Sequence, residues 1–263
     1  MNITDPRYLF VSFKDGDGVF FLGRFLSSHF ELAQYHAVAR PWYWDELGAT
    51  EGCLDDAWAM LAAWRALRGV KVAPVEFRER CPAQVVSLAR FLNKHGIGCL
   101  RDLAGADDRT LGSLIQEVVL TVEQISLIKP TKDTRPTFGS KVAHHYFPSI
   151  VPAFDNAKIE EGALRKSWIC ASFCDQRREW VRRTCALENE PFLLDFALYF
   201  AFCADQIATA PQDKLDAARS RLAQSCKEFV PPGMWSDRGS LVWKLDAKVA
   251  EFCLCGHAKL AAS

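Results

Sequence analysis

Apolar positions in this chain recur mainly at helical spacing, and only the first 25 residues follow a different pattern. There, Tyr8-Leu9-Phe10-Val11-Ser12-Phe13 and Val19-Phe20-Phe21-Leu22 are β-prone runs separated by Lys14-Asp15-Gly16-Asp17-Gly18. Two such runs around a glycine-bearing loop predict a β-hairpin. Farther on, Leu54 to Arg68 carries Trp58, Leu61, Ala62 and Trp64 on one helical face. Pro82 is expected to open a second helix through His95, with Val85, Leu88, Ala89 and Leu92 facing the core and Gly96 closing it. A third helix is predicted from about Asp108 to Ile128, stopping at Pro130. The remaining helical segments are Asp155 to about Trp168, Phe173 to Leu187, Pro191 to Ile207, Pro211 to Phe229 and Ser240 to Cys253. Helix dominates, with no internal repeat.

Proline and glycine clusters mark boundaries near Arg40-Pro41, from Pro130 to Gly139, and at Pro231-Pro232-Gly233. Residues 1–45 read as an extension bearing the hairpin, and 46–263 as the helical region. The Pro130–Gly139 stretch is longer than most helix–helix connections, and long ordered loops often carry function.

Composition refines this picture by exclusion. The chain has 49% hydrophobic, 24% charged and 12% aromatic residues, the balance of an ordinary globular protein. No uninterrupted apolar run reaches about 18 residues, and the first eight residues lack the basic start and apolar core of a signal peptide. A cytoplasmic location is expected. The ten cysteines, among them Cys185, Cys203 and Cys226, sit singly in apolar helical stretches, where a thiol acts as a small hydrophobe. Cys170 and Cys174 lie one turn apart, and Cys253, Cys255 and His257 form C-x-C-x-H. Neither has zinc or iron–sulfur spacing. The D-G-D-G loop lacks the glutamate of a calcium loop, since the twelfth position from Asp15 is Leu26. No metal or cofactor is expected. Phosphate-loop, dinucleotide-fold, serine-elbow and zinc-protease motifs are absent. Zero net charge excludes a protein that coats nucleic acid by bulk electrostatics but permits local patches.

The chemistry concentrates between Gly139 and Asp155. The chain reads Gly139-Ser140-Lys141-Val142-Ala143, then His144-His145-Tyr146-Phe147-Pro148, and then Val151-Pro152-Ala153-Phe154-Asp155. A lysine beginning a helix lies near its positive end, which disfavours the protonated form. An aspartate heading a helix accepts backbone N–H bonds and stays ionised. There it can stabilise a cationic sugar.

This segment resembles the core of the helix-hairpin-helix DNA glycosylases, which include enzymes acting on 8-oxoguanine, thymine glycol and mismatched adenine. The likeness covers residues 139–159 in motif, within a motif segment of about 125–160, and roughly 105–205 in topology. It implies a mostly α fold with two helical lobes around a cleft. It also implies release of a damaged or modified base from double-stranded DNA, in repair or in defence against foreign DNA. Lys141 matches the family's lysine nucleophile and Asp155 its essential aspartate. The fourteen-residue separation is tighter than in the lysine-bearing enzymes, so the resemblance carries base release further than a lyase step. The family hairpin normally has two glycines; this loop offers only Gly139.

DNA contact is expected from Gly139 and Ser140, and by charge from Lys129, Lys132 and Arg135. Six cations between Arg165 and Arg183 face only Asp175 and Glu179, which adds Arg177 and Arg178. A base taken out of the stack needs flat neighbours. Trp42 and Trp44 of Pro41-Trp42-Tyr43-Trp44 are the candidates, with His144, His145 and Phe154. The alternative is a catalytically silent module of the same fold that binds DNA or protein. A monomer acting on DNA, away from any membrane, is expected.

Overall fold

The computed structural model describes residues 2–5, 7–8, 51–63, 67, 74–128, 135–155, 164–229 and 245–261. Among these the chain is mostly helical. The predicted hairpin, apart from Tyr8, and the tryptophans Trp42 and Trp44 lie outside the described residues.

Helix α1 spans Glu51–Ala63 and α2 spans Pro74–His95. The predicted start of α2 at Pro82 is corrected: the proline lies inside the helix. A proline there removes one backbone hydrogen bond, at a cost of about 3 kcal/mol in an isolated helix. The buried stripe of Phe77, Cys81, Val85, Leu88, Ala89 and Leu92 runs across the proline, and burying it holds the helix together. Gly96 closes α2 as the sequence predicts. Its φ is +64°. The Ile97 amide reaches back to the Leu92 carbonyl at 3.0 Å and the Gly96 amide to Asn93 at 3.1 Å.

A 3-10 turn at Leu100–Leu103 precedes α3, Asp108–Ser126. Asp107 caps α3, accepting the Thr110 amide at 2.8 Å. The inner face of α3, from Leu114 and Ile115 through Val118 and Val122 to Ile125, is fully buried. Helix α4, Arg135–Tyr146, packs along α3.

Helix α5 is a short turn at Leu164–Lys166, followed by α6, Trp168–Thr184. The sequence reading joined Trp168 to a helix from Asp155 and began the next at Phe173. The break instead falls at Ser167, whose hydroxyl accepts the Cys170 amide at 3.3 Å. Serine competes for backbone hydrogen bonds, which suits a cap better than a helix interior.

Helix α7, Pro191–Ala208, is buried almost all round from Leu193 to Ile207. By length and composition it could cross a bilayer, but 72% of its apolar window is buried inside the protein, as in a central core helix. Its C-terminal end is held by Arg101, whose Nη1 donates to the carbonyls of Ile207, Ala208 and Ala210 at 3.1, 2.9 and 2.8 Å. Helix α8 follows at Gln212–Phe229 and α9 at Asp246–Ala261. The last begins later and ends later than the sequence suggests. Asp246 at its start is fully buried and paired with Arg219 at 2.7 Å. The described buried apolar side chains, from Ile3 to Ala258, form one connected core.

Candidate functional site

Helix α4 begins at Arg135, so Lys141 is its seventh residue rather than its first. The helix-terminal field expected to act on the lysine is therefore not its main influence. What governs Lys141 is its neighbour: Nζ lies 2.9 Å from Asp155 Oδ2. The lysine side chain is only 7% exposed and that of Asp155 33%. The two residues that the motif pairs are brought together at the edge of the core.

The return of the chain explains how. After Tyr146 a tight turn carries the backbone round, with the Ile150 and Val151 amides donating to the Phe147 carbonyl at 3.0 and 2.8 Å. The Leu100 amide donates to the Ser149 carbonyl and ties that turn to the 3-10 segment. Residues 151–155 then run back alongside α4 as irregular backbone, with Val151 meeting His144, Phe154 meeting Ser140 and Asp155 meeting Lys141. The helix climbs roughly 1.5 Å per residue while an extended chain covers roughly 3.3 Å. Five residues beyond Lys141 in α4, a four-residue turn and five returning residues therefore suffice to bring Asp155 back level with Lys141. The short separation in sequence is what this geometry needs.

Three side chains pin the returning segment. His144 Nδ1 donates to the Val151 carbonyl at 2.5 Å. The Ser140 hydroxyl accepts the Phe154 amide at 3.1 Å and donates to the Thr137 carbonyl at 3.3 Å. Tyr199 of α7 donates its hydroxyl to the Ala153 carbonyl at 3.3 Å. Each bond removes one degree of freedom from the segment that ends in the carboxylate. Burial and the nearby Lys248 charge hold His144 well below its ordinary pKa, so it is neutral. Lys248 is itself buried on α9, paired with Glu251 at 2.9 Å.

No protein-family model, curated protein or solved structure matches this chain.

The other expected site residues fall into three groups. Lys129, Lys132, Trp42 and Trp44 lie outside the described residues, as does the side chain of Arg135, which opens α4. Gly139 and Ser140 are buried and face inward. A Cβ at Gly139 would overlap the Val122 carbonyl oxygen and the Ser126 hydroxyl. The glycine permits α3 and α4 to touch, and in this structure neither residue presents a surface to a phosphate. His145 and Phe154, expected in a base pocket, are buried together with His144. Phe154 packs against Phe196 and Tyr199 with ring centroids 5.9 and 5.6 Å away, and His145 meets Tyr146 edge to face. These rings build the wall behind Asp155.

Along α6 most of the expected positive face is neutralised inside the protein. Arg177 donates to Asp108 at 3.1 Å and lies over Trp180 at 5.0 Å. Arg182 and Arg183 both grip Glu179 at 2.8 and 2.6 Å, which holds its carboxyl down to about 2. Arg178 is less committed, 3.9 Å from Asp195 and half exposed. It shares a cavity of about 460 Å3 with Arg165, Cys174 and Asp195. The described cysteines are free thiols; Cys170 and Cys174 lie 4.0 Å apart, sulfur to sulfur.

Sequence reasoning missed Tyr199, Lys248 and Glu251. Tyr199 reads as one more aromatic in an apolar helix. Lys248 and Glu251, charges spaced for one face of an otherwise apolar helix, were the available signal.

Proposed function

We propose that this protein is a DNA N-glycosylase of helix-hairpin-helix type, releasing a damaged or modified base to leave an abasic site. The observation that carries the reading is the Lys141–Asp155 pair, 2.9 Å apart with the carboxylate one-third exposed. A two-lobed arrangement and an N-terminal hairpin belong to the same proposal.

In the reaction the bond between the sugar C1′ and the base nitrogen breaks, and its electron pair leaves with the base. Positive charge develops at C1′, and a fixed carboxylate beside it lowers the energy of that state. Water then adds to C1′, and the proton it releases passes through solvent to the nitrogen of the departed base. Asp155 supplies the carboxylate. Its orientation is fixed by Lys141 and by the bonds that hold Val151, Ala153 and Phe154. Preorganisation of this kind avoids rearrangement during the reaction.

Held 2.9 Å from the Asp155 carboxylate, the Lys141 amine is engaged by that group rather than free to approach C1′. Base release by water therefore fits the pair better than a Schiff-base route, which would first require the amine to leave that carboxylate.

The test is incubation of the full chain with duplexes carrying a panel of modified purines and pyrimidines, followed by alkali. Strand breaks that disappear in Asp155→Asn support the enzyme. A second reading, a silent binding module, is favoured by the near-complete burial of Lys141, which suits a purely structural ion pair. Absence of abasic sites on every duplex would select it.

A further inference from the structure

Of the six cations between Arg165 and Arg183, the three that form close ion pairs or stacks are Arg177, Arg182 and Arg183, toward the C-terminal half of α6. Arg165 and Lys166, just before α6, are exposed; Arg165 shares its cavity with Arg178, Asp175 and Asp195, and Lys166 forms no ion pair with a described carboxylate. The adjoining Trp168 is 55% exposed, among the most exposed large apolar side chains described. An anion approaching this face therefore meets two exposed cations next to an open indole.

The indole belongs to a built recess. Trp168, Tyr8 and His257 line a cavity of about 300 Å3 with Arg7 and Leu260 at its edge. His257 meets Tyr8 edge to face at 4.9 Å and Trp168 at 5.9 Å, so the three rings hold one another in orientation. Ser167 fixes the imidazole: its oxygen accepts the Cys170 amide at 3.3 Å and lies 2.9 Å from His257 Nδ1, within hydrogen-bond distance. Burial lowers the pKa of the ring, which favours its neutral form. Tyr8 is seated just as firmly. Its backbone lies directly on Gly256, where any Cβ would overlap the Tyr8 carbonyl. The preceding residues are tied to α7 through Ile3 and Gln206 at 2.9 Å.

We infer that the Trp168–His257–Tyr8 recess stacks an unpaired base of a DNA strand whose phosphates lie along Arg165 and Lys166. The chemistry of the recess matches that ligand part by part. A fixed, half-exposed indole offers a face to any base, and a recess of this size accommodates one ring system. Two adjacent cations supply sequence-independent backbone contact. The inference extends the nucleic-acid reading above but needs no base release, because these residues lie outside the Lys141–Asp155 site.

The experiment is fluorescence anisotropy of the full chain with a fluorescein-labelled single-stranded dodecamer, the matching duplex, and thymidine monophosphate as competitor. Trp168→Ala should weaken single-strand binding about tenfold. Trp168→Phe should retain most of the affinity, because a flat ring remains. The double variant Arg165→Ala, Lys166→Ala should flatten the dependence of log affinity on log salt by about 1.4, some 0.7 per lost phosphate contact. Trp168 is exposed, so the variants should fold, and an unchanged circular dichroism melt verifies that. Unchanged single-strand affinity in Trp168→Ala overturns the inference. So does duplex binding as tight as single-strand binding, or competition by the mononucleotide at the strand's own affinity. Asp155→Asn should leave this binding intact. Base release without a Trp168 effect would sink this inference and spare the proposed function; a Trp168 effect without base release would do the reverse.

Discussion

Two cationic regions of this protein treat charge in opposite ways. At α4 a single lysine is drawn into the edge of the core and matched to one carboxylate by a segment pinned at three points. Around α6 six cations stay near the surface; the protein pairs those toward the C-terminal end with carboxylates and leaves the Arg165 and Lys166 side chains exposed. Counting charges along the sequence ranks the second region higher. Geometry ranks the first higher for chemistry, because a buried, oriented charge acts in a low dielectric, whereas exposed ion pairs contribute little.

The largest effect should come from breaking the α4 pair. Asp155→Asn is expected to reduce base release by at least about 100-fold, the scale seen for removing one fixed transition-state charge partner. Single-turnover rates on the responsive duplex would measure it, and a variant retaining wild-type rate would end the catalytic role of Asp155. The same change should also lower stability, since the buried Lys141 side chain would lose the carboxylate it pairs with.

Next in size is the contact on which α4 rests. Gly139→Ala forces a methyl group against the Val122 carbonyl, and overpacking of this kind costs about 1–3 kcal/mol. Urea denaturation reads that directly. A neutral outcome would mean that α3 and α4 can separate without loss, and that Gly139 is available for another role.

A smaller effect should appear with pH. Burial keeps His144 below its ordinary pKa, so the unfolded chain binds a proton that the folded chain refuses. The stabilisation is complete above about pH 6.5 and is lost as pH falls, by about 1 kcal/mol between pH 6.5 and 5.5. His144→Gln should flatten this part of the profile. An unchanged pH slope in that variant would show that another group titrates.

The smallest effects belong to α6. Arg183→Ala should change stability by no more than about 0.5 kcal/mol, as for most exposed ion pairs. Ala186 just beyond the helix has a φ of +53°, a conformation glycine adopts without strain. Ala186→Gly should therefore raise the melting temperature slightly, with a gain of at most about 1 kcal/mol. A loss in that variant would show that the Ala186 methyl makes a contact worth more than the strain.

Much of the helical framework was legible from local rules. The glycine closing α2, the aspartate before α3 and the proline opening α7 all act through backbone bonds within a few residues. The starts of α2, α4 and α6 were not legible. Pro82 reads as a helix start but lies inside α2, because packing against α1 and α3 outweighs the local preference of a single residue; Pro136, the second residue of α4, sits in a first turn that tolerates proline. The Lys141–Asp155 pairing was readable as a motif, but the bond between them was not.

By itself the sequence determined the helical class, through apolar periodicity, and nominated Lys141 and Asp155 by residue type and neighbours. Tertiary structure decided which nominees share a site and which charges remain open. It turned Ser140, His144 and Phe154 from candidate ligand contacts into supports for the carboxylate, and it matched Arg177, Arg182 and Arg183 to carboxylates of their own. It also gathered Tyr8, Trp168 and His257, distant in sequence, around one recess. The reason is physical: propensity and capping act over a few residues of chain, whereas burial and ion pairing depend on distances that only the packed chain sets.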